Sequence, residues 1–552
     1  TQLLGDLQII VGFQYENFDN YNAFIEGVYG SWFFRNGTPS FENAVNPGAL
    51  ETYSLTLPAE GQSGIADWSM AIASAYVEDN WLVNDKLTLT AGLRIDYPLM
   101  DDMPPQARSS VEDDDRTFED VFGSSNQVNV DGNYVIQPRL GFNYALDDER
   151  RVQLRGGAGL FFGTAPHVWI SSIFVNNGRS QEFYRASTSR TPAFSPDALN
   201  PPIPDQVNAR VNVDFLDEDF KMPTEWKSNL ALDLNLFADI AWTNEVSLSW
   251  TENDIHYIHE NLQQESGFLS TGFLPDGRIV YDNQESRLRE AGYRNVIRLT
   301  NTDKGYSRQF TTLFQRPVQN GWGFRAGYTY TRSKNVNDGQ SATAYSNWVN
   351  NVGFNLNSEV LGRSRYETTH RFIASGTYEH RWNKRQKTSV TLVYEGRTGR
   401  PFSFVYGRGT FSTDMNRDGT GAANDLVYVP TGVDDPLVRW GDASNSGRDT
   451  QGVAFMEFVE RTEGLAEYKG EVVPRNTGTS PWIHQFDINI THEIVTWKEQ
   501  RLELIFAIEN FGNLINDEWG KEKRPRGPGG NVPMLTASRE VEIVGGELNS
   551  YY

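Results

Sequence analysis

The densest set of oxygen-bearing side chains in the sequence is Asp414-Met415-Asn416-Arg417-Asp418-Gly419, with Asp425 at the twelfth position. Oxygen ligands at positions one, three and five, followed by a glycine for a sharp turn, are the pattern of a Ca²⁺ loop. Asp at position twelve is one methylene shorter than the usual Glu, so bidentate ligation asks more of the backbone. The same Asp/Asn/Gly chemistry also builds plain turns, in which the oxygens cap backbone N–H groups. Two readings follow: a structural Ca²⁺ held by Asp414, Asn416, Asp418 and Asp425, which would order part of a long loop, or an unmetallated turn. No other cofactor is expected.

The remaining candidates carry less. His256, His259 and Glu260 have the order H-x-x-H-E, which matches neither zinc motif, and residues three apart on a strand point to opposite faces. His370, His380, His484 and His492 have no ligand spacing. Gly156, Gly157, Gly159 and Gly163 precede no helix, so they signal a strand bend or close strand contact rather than a dinucleotide site. Residues 112–115, with Glu119 and Asp120, form an acidic run of the kind that is usually solvated surface. Glu245, Asp487, Glu503 and Glu509 are the carboxylates a glycosidase would need in a pair, but they alternate with apolar residues and read as charge on an inward face. No catalytic residue is assigned, and the chain is not expected to be an enzyme.

The elements that position these residues are short runs of period-two hydrophobicity. Leu87, Leu89, Ala91, Leu93, Ile95 and Tyr97 alternate with Lys86, Thr88, Thr90, Gly92, Arg94 and Asp96. Similar runs occupy 151–162, 230–236, 324–330, 486–491 and 502–509, and no long amphipathic helix is expected. Short turns are placed at 16–21, 84–85, 146–150, 237–242, 318–321, 381–387 and 495–499. Long segments are placed at 35–67, 98–132, 163–223, 252–304, 332–365 and 396–480. Short and long alternate without exception. That parity has a reason in an outer-membrane barrel, where all short turns lie on one side and all long loops on the other. Seven hairpins predict about 14 strands between Asp6 and Phe511.

Composition points the same way. Of 552 residues none is Cys, aromatics reach 13%, and the formal net charge is -23; the mean hydropathy is -0.53. The absence of Cys removes disulfides and thiolate sites. The negative balance argues against a nucleic-acid surface. Abundant aromatics in a polar chain fit a wall whose rings face lipid while all else faces water. Trp81, Trp242, Trp250, Trp322, Trp382 and Trp497 are placed near strand ends, as an interfacial girdle requires. The expected fold is all-β, a large transmembrane antiparallel β-barrel.

Longer segments resemble the Oar-like TonB-dependent outer-membrane receptors. They are DWSMAIASAYVEDNWLVNDKLTLTAGLRID (67–96), YVIQPRLGFNYALDDERRVQLRGGAGLFFGTAPHVWISSIFVNNG (134–178), FKMPTEWKSNLALDL (220–234), GYSRQFTTLFQRPVQNGWGFRAGYTYTRSKNVNDG (305–339), RYETTHRFIASGTYEHRW (365–382), PWIHQFDINITHEI (481–494) and IENFGNLINDEWG (508–520). The resemblance implies a 22-stranded barrel with an N-terminal plug, bacterial outer-membrane localisation, and energy from the TonB complex. It also implies that residues 1–552 are the C-terminal portion of the barrel, without plug, TonB box or first strands. The expected partners are outer-membrane lipid, TonB through a segment outside this sequence, and an extracellular ligand met mostly by residues 163–223 and 396–480. The wall is expected to be incomplete, with strand 6–15 unpaired to strand 501–511. The alternatives are a passive porin or surface adhesin on the same barrel, or a soluble β-rich glycan-active hydrolase.

Overall fold

A computed structural model describes residues 2–4, 7–23, 25–34, 50–108, 116–163, 167–187, 190–204, 210–262, 273–281, 292–408, 411–412, 414–419, 424–438, 440, 448–535, 541–544 and 547–550. Thirteen long strands among them form one antiparallel wall: β1 (Leu7–Asn22), β2 (Ala66–Asn84), β3 (Leu87–Leu99), β4 (Val135–Ala145), β5 (Val152–Phe162), β6 (Thr224–Asn235), β7 (Ala241–His259), β8 (Gly305–Gln319), β9 (Trp322–Asn335), β10 (His370–Asn383), β11 (Gln386–Arg397), β12 (Ile483–Val495) and β13 (Arg501–Ile508). Each pairs with its neighbours in chain order. Consecutive strands are joined alternately by a short turn and a long segment, as the sequence predicts.

Register explains why the alternating pattern works. Cross-strand partners share a face, so one apolar row can run across many strands. Leu234, Trp242, Phe314, Ala326, Ala374, Tyr394 and Phe486 are successive partners from β6 to β12. A row on the opposite face reads Glu245, Thr311, Thr329, Arg371 and Arg397. The first face suits lipid and the second a wet interior. A one-residue slip would exchange them, so burial against lipid fixes the register. Trp81, Trp322, Trp382 and Trp497 lie exposed beside short turns. Trp250 belongs to the other rim, where it stacks on Trp226 at 6.3 Å. Eight residues separate Trp242 from Trp250, about 26 Å along the strand and about 20 Å after barrel tilt, just inside the rims of a hydrocarbon band.

The glycines of β5 mark close strand contact, as expected. A Cβ at Gly157 would stand 2.9 Å from the Leu140 carbonyl, and one at Gly156 would stand 2.7 Å from that of Asn229.

Three expectations need correction. Residues 16–21 are not a turn: β1 runs unbroken through them to Asn22 and pairs with β2 as far as Ala66. The run ENFDNYN is polar because this end of the strand lies beyond the lipid-facing band. The wall therefore has thirteen long strands plus a three-residue partner of β1, Gln2–Leu4, rather than fourteen full ones. Helices are also present in the long segments: α1 (Phe118–Phe122), α2 (His167–Val175), α3 (Ala344–Val349) and the 14-residue α4 (Arg448–Arg461). Gly452 inside α4 obscures its period in sequence. The acidic run at 112–115 lies outside the described residues, while Asp120 closes a capping box with Thr117 at the start of α1.

Among the described residues β1 and β13 do not pair with each other; β13 pairs with β12 alone. Val541–Val544 forms a hairpin with Glu547–Ser550 and adds nothing to the wall.

The packed core is not in the wall. The largest fully buried side chains, among them Trp348, Arg278, Tyr53, Tyr257, Tyr293, Tyr406 and Phe404, all belong to the long segments or to strand ends that project into them. β7 supplies the clearest bridge. Its first half pairs with β8, while its last residues, Asp254–His259, pair with the strand Tyr293–Thr302. Ile255 and Tyr257 there join Ile173, Phe174, Leu216, Ile297, Leu299 and Trp348 in one cluster. Residues 398–482 have a second core of their own, around Tyr406, Val427, Val429, Trp440, Val459 and Val473. The long segments thus form a folded cap.

Candidate ligand-receiving cap

Three long segments meet at one buried arginine. Arg278 is fully buried; its guanidinium lies 3.1 Å from Asp276 and 3.0 Å from Asp425, and donates to the Leu426 carbonyl at 2.6 Å. The rings of Phe354 and Tyr406 flank it, each 5.5 Å away. Beside it the Ile279 amide donates to Asn355 and the Tyr281 amide to the Asn416 carbonyl. A buried charge is tolerated only when paired and hydrogen-bonded, so this arrangement ties segments 260–304, 336–369 and 398–482 in one geometry.

A second tie runs through Asn357. Its side chain receives the His259 amide and the Trp348 indole N–H, and donates to the His259 carbonyl. The His256 ring lies 3.3 Å from its backbone carbonyl. The His259 ring packs edge-on to Trp348 at 4.7 Å. Burial pulls the His259 imidazole down to about 4, so it is neutral at physiological pH. Both histidines therefore anchor α3 and carry no zinc-like arrangement. The other four named histidines sit in the wall. His370 and His484 meet Tyr328 and Tyr394 at 2.8 and 3.0 Å, His492 meets Thr388 at 2.8 Å, and His380 packs on Trp382.

Between segments 336–369 and 398–482 and the residues after β13 lies a cavity of about 480 Å³. Asp338, Asn350, Arg365, Asn424, Asn476 and Asn531 line it. Side-chain amides, which donate and accept, and the guanidiniums of Arg365 and Arg475, which donate, suit a polar occupant.

The predicted calcium residues are gathered into one turn. The Asp414 carboxylate accepts from the amides of Asp418 and Gly419, each at 3.1 Å. The Asn416 side chain accepts from Asp418 at 3.1 Å. Asp425 accepts from the Met415 amide at 2.8 Å and pairs with Arg278. Arg417 and Gly419 take positive φ values of 56° and 85°. Burial, and the neighbouring Asp425 charge, push the Asp414 carboxyl above the usual carboxylate range. Among the described residues no group of three or more His, Asp or Glu is arranged to hold a metal ion. Asp414, Asn416 and Asp425 thus use side-chain oxygens to cap backbone amides.

On the inner face of the wall Glu245 and Asp487 are engaged by neighbouring side chains and backbone. Glu245 and Asp233 flank Arg155 at 3.2 and 2.8 Å. Asp487 accepts from Gln485 and the Asn510 amide. Glu503 pairs across from Glu493 on β12. Nothing in the sequence singled out Arg278 or Asn357, because the partners that tie segments together, Asp425 and His259, lie about 100 residues or more away in the chain.

A wall with one apolar and one polar face, short turns at one rim and a packed cap at the other, defines an outer-membrane β-barrel. A family model described as outer membrane beta barrel domain matches residues 1–518, and the chain belongs to that family. Its place is the bacterial outer membrane. A comparison with curated proteins returns no match. Solved structures to which it is similar include the outer membrane transporter YddB from Escherichia coli (10% identity, 93% of this chain and 48% of that chain, TM-score 0.44). Others are the FrpB iron transporter from Neisseria meningitidis (9%, 93% and 49%, 0.41) and the siderophore receptor PirA from Acinetobacter baumannii (12%, 85% and 44%, 0.39). The chain spans about half the length of each, or less.

Proposed function

We propose that the protein is a TonB-dependent outer-membrane transporter of the Oar-like kind, which captures a large or scarce ligand at its cap and passes it across the outer membrane. The observation that carries this reading is the cap itself. A passive porin keeps a water-filled mouth, whereas here the long segments pack into cores and three of them are tied through the fully buried Arg278. Such a layer is suited to recognising a ligand and yielding to it. The test is made on the full-length protein in planar bilayers and in cells. The transporter reading expects no steady ion conductance, and ligand uptake that stops when the TonB complex is deleted. A constant ohmic conductance with uptake indifferent to TonB would establish the porin instead.

For the turn at Asp414, Asn416, Asp418 and Asp425, structural Ca²⁺ is supported by their convergence and opposed by the pairing of Asp425 with Arg278. Calorimetric titration of Ca²⁺ into chelator-treated protein decides: saturable heat lost in Asp414→Asn supports the ion, and its absence leaves a self-capped turn.

A further inference from the structure

The outward face of the wall changes character at β8 and β9, toward the rim that carries the cap. Even-numbered residues of β7, β8 and β9 share that face through the ladder. One register row reads Val246, Phe310 and Tyr330. The next row toward the cap reads Leu248, Arg308 and Arg332, and the one after it Trp250, Tyr306 and Lys334. Three exposed cations therefore stand on a lipid-facing surface at the level of the Trp250 rim. To either side the face is aromatic: Trp226 stacks on Trp250, and Trp482 stacks on His370 of β10.

Arg308 and Arg332 are direct cross-strand partners. Like charges so placed have Cβ atoms about 5 Å apart and repel one another. Beside hydrocarbon, water screens that repulsion less. Rings hold both forks in place: the Arg308 guanidinium lies 4.7 Å over the Tyr306 ring, and the Arg332 Nε donates to the Tyr330 hydroxyl at 2.9 Å. The carboxylates of this rim are engaged. Glu367 is buried, 2.8 Å from Arg363 and 3.4 Å from Arg332. Glu359 meets Lys304 at 2.9 Å, and Glu252 accepts from the Trp226 indole at 3.1 Å. Among the described residues no carboxylate forms an ion pair with Arg308 or Lys334. The rows line a groove of about 590 Å³, which has Val246 and Phe310 toward the middle of the wall and Arg308, Arg332 and Lys334 toward the rim.

We propose that this groove binds a phosphorylated lipid of the outer leaflet, its phosphate between Arg308, Arg332 and Lys334 and an acyl chain along Val246 and Phe310. A phosphate accepts from both guanidinium forks and brings the negative charge that two opposed arginines lack. Lys334 adds a point charge from the row above. Apolar residues toward the midplane and cations toward the rim follow the order of an acyl chain and its headgroup, which favours a lipid over free phosphate. The site lies on the outside of the wall, so it holds whatever the barrel transports.

The experiment titrates the purified chain in detergent with bis-phosphorylated lipid A and reads bound lipid by native mass spectrometry. The same lipid stripped of its phosphates, and inorganic phosphate as a competitor, separate the two ends of the groove. Wild type binds the phosphorylated lipid saturably, and the stripped lipid at least tenfold more weakly. Arg308→Gln and Lys334→Gln each weaken binding by about tenfold, the loss of one charge-assisted contact. Lys227→Gln changes nothing, because Lys227 lies toward the same rim on the inner face. Near-ultraviolet circular dichroism checks folding, and if one variant is disturbed the other carries the test. Equal binding of the two lipids, equal binding by both variants and wild type, or an equal loss in Lys227→Gln overturns the site. Displacement of the lipid by an equal concentration of inorganic phosphate overturns it as well, since the groove would then hold a free anion and no lipid.

Discussion

Replacing Arg278 by Met isolates the tie between the three long segments. The side chain is fully buried between Asp276 and Asp425, and its removal leaves two carboxylates in a dry pocket beside Tyr406 and Phe354. Breaking a buried pair by deleting one partner costs about 3–5 kcal/mol. At 1.36 kcal/mol per tenfold, that raises the open population of the cap about 150- to 5,000-fold. The wall holds the chain in the membrane, so the loss appears as local opening rather than global unfolding. Hydrogen exchange read by mass spectrometry on peptides from 273–281 and 424–438 measures it. Those peptides should lose protection by two to more than three decades, while peptides from β8 to β11 stay unchanged. Adding Asp276→Asn and Asp425→Asn should restore most of the protection, since the uncompensated charges are then gone. Exchange of Arg278→Met within about threefold of wild type, under 1 kcal/mol, would refute the idea that a buried ion pair holds the segments together.

Neighbouring residues on β7 should respond oppositely to charge. Val246→Arg, on the apolar face midway between Trp242 and Trp250, is expected to cost about 2–4 kcal/mol in folding titrations into lipid, and Ser247→Arg, on the inner face, close to nothing. Cap stability should fall as the medium is acidified, through His259. Its folded value of about 4 lies below the unfolded 6.5, so its contribution is complete above pH 6.5 and is lost as pH falls toward 4. The loss amounts to about 3 kcal/mol, and His259→Gln should remove it from the pH profile of near-ultraviolet circular dichroism melts. Asp214 should act in the reverse sense. It is fully buried, accepts from Asn176 at 2.8 Å, and is pushed up to about 7 by burial. It therefore weakens the cap as pH rises from about 4 to 7, and Asp214→Asn should melt higher than wild type at pH 8 but not at pH 4.

The wall was legible because lipid imposes a rule on single residues. Leu87 to Tyr97 alternate because each side chain meets either hydrocarbon or water, and no distant partner is needed to see it. The rule fails where both faces of a strand meet water, which is why residues 16–21 resembled a turn. It is also silent about the cap. Tyr257 and Trp348 are joined through packing around residues some ninety positions apart, and Arg278 meets Asp425 across a similar or greater interval. The Asp414 motif carried two readings, a Ca²⁺ loop and a plain turn, and its turn is visible in sequence because Asx hydrogen bonds are local.

The parallel pairing of Val532–Leu535 with Phe404–Arg408 has a consequence for the order of assembly. The core around Tyr406 and Val427 takes Val532, Met534 and Leu535 against it, residues more than a hundred positions later in the chain. Contacts of such separation form late, because a long loop must close before they are rewarded. A chain still being threaded into the membrane thus carries residues 398–482 with one side of their core uncovered. The segment that covers it emerges only after β12 and β13 have joined the sheet. The outer layer is completed by a segment made after β13, so a barrel that stalls before β13 should display an exposed, protease-sensitive 398–482 segment rather than a half-built but closed surface.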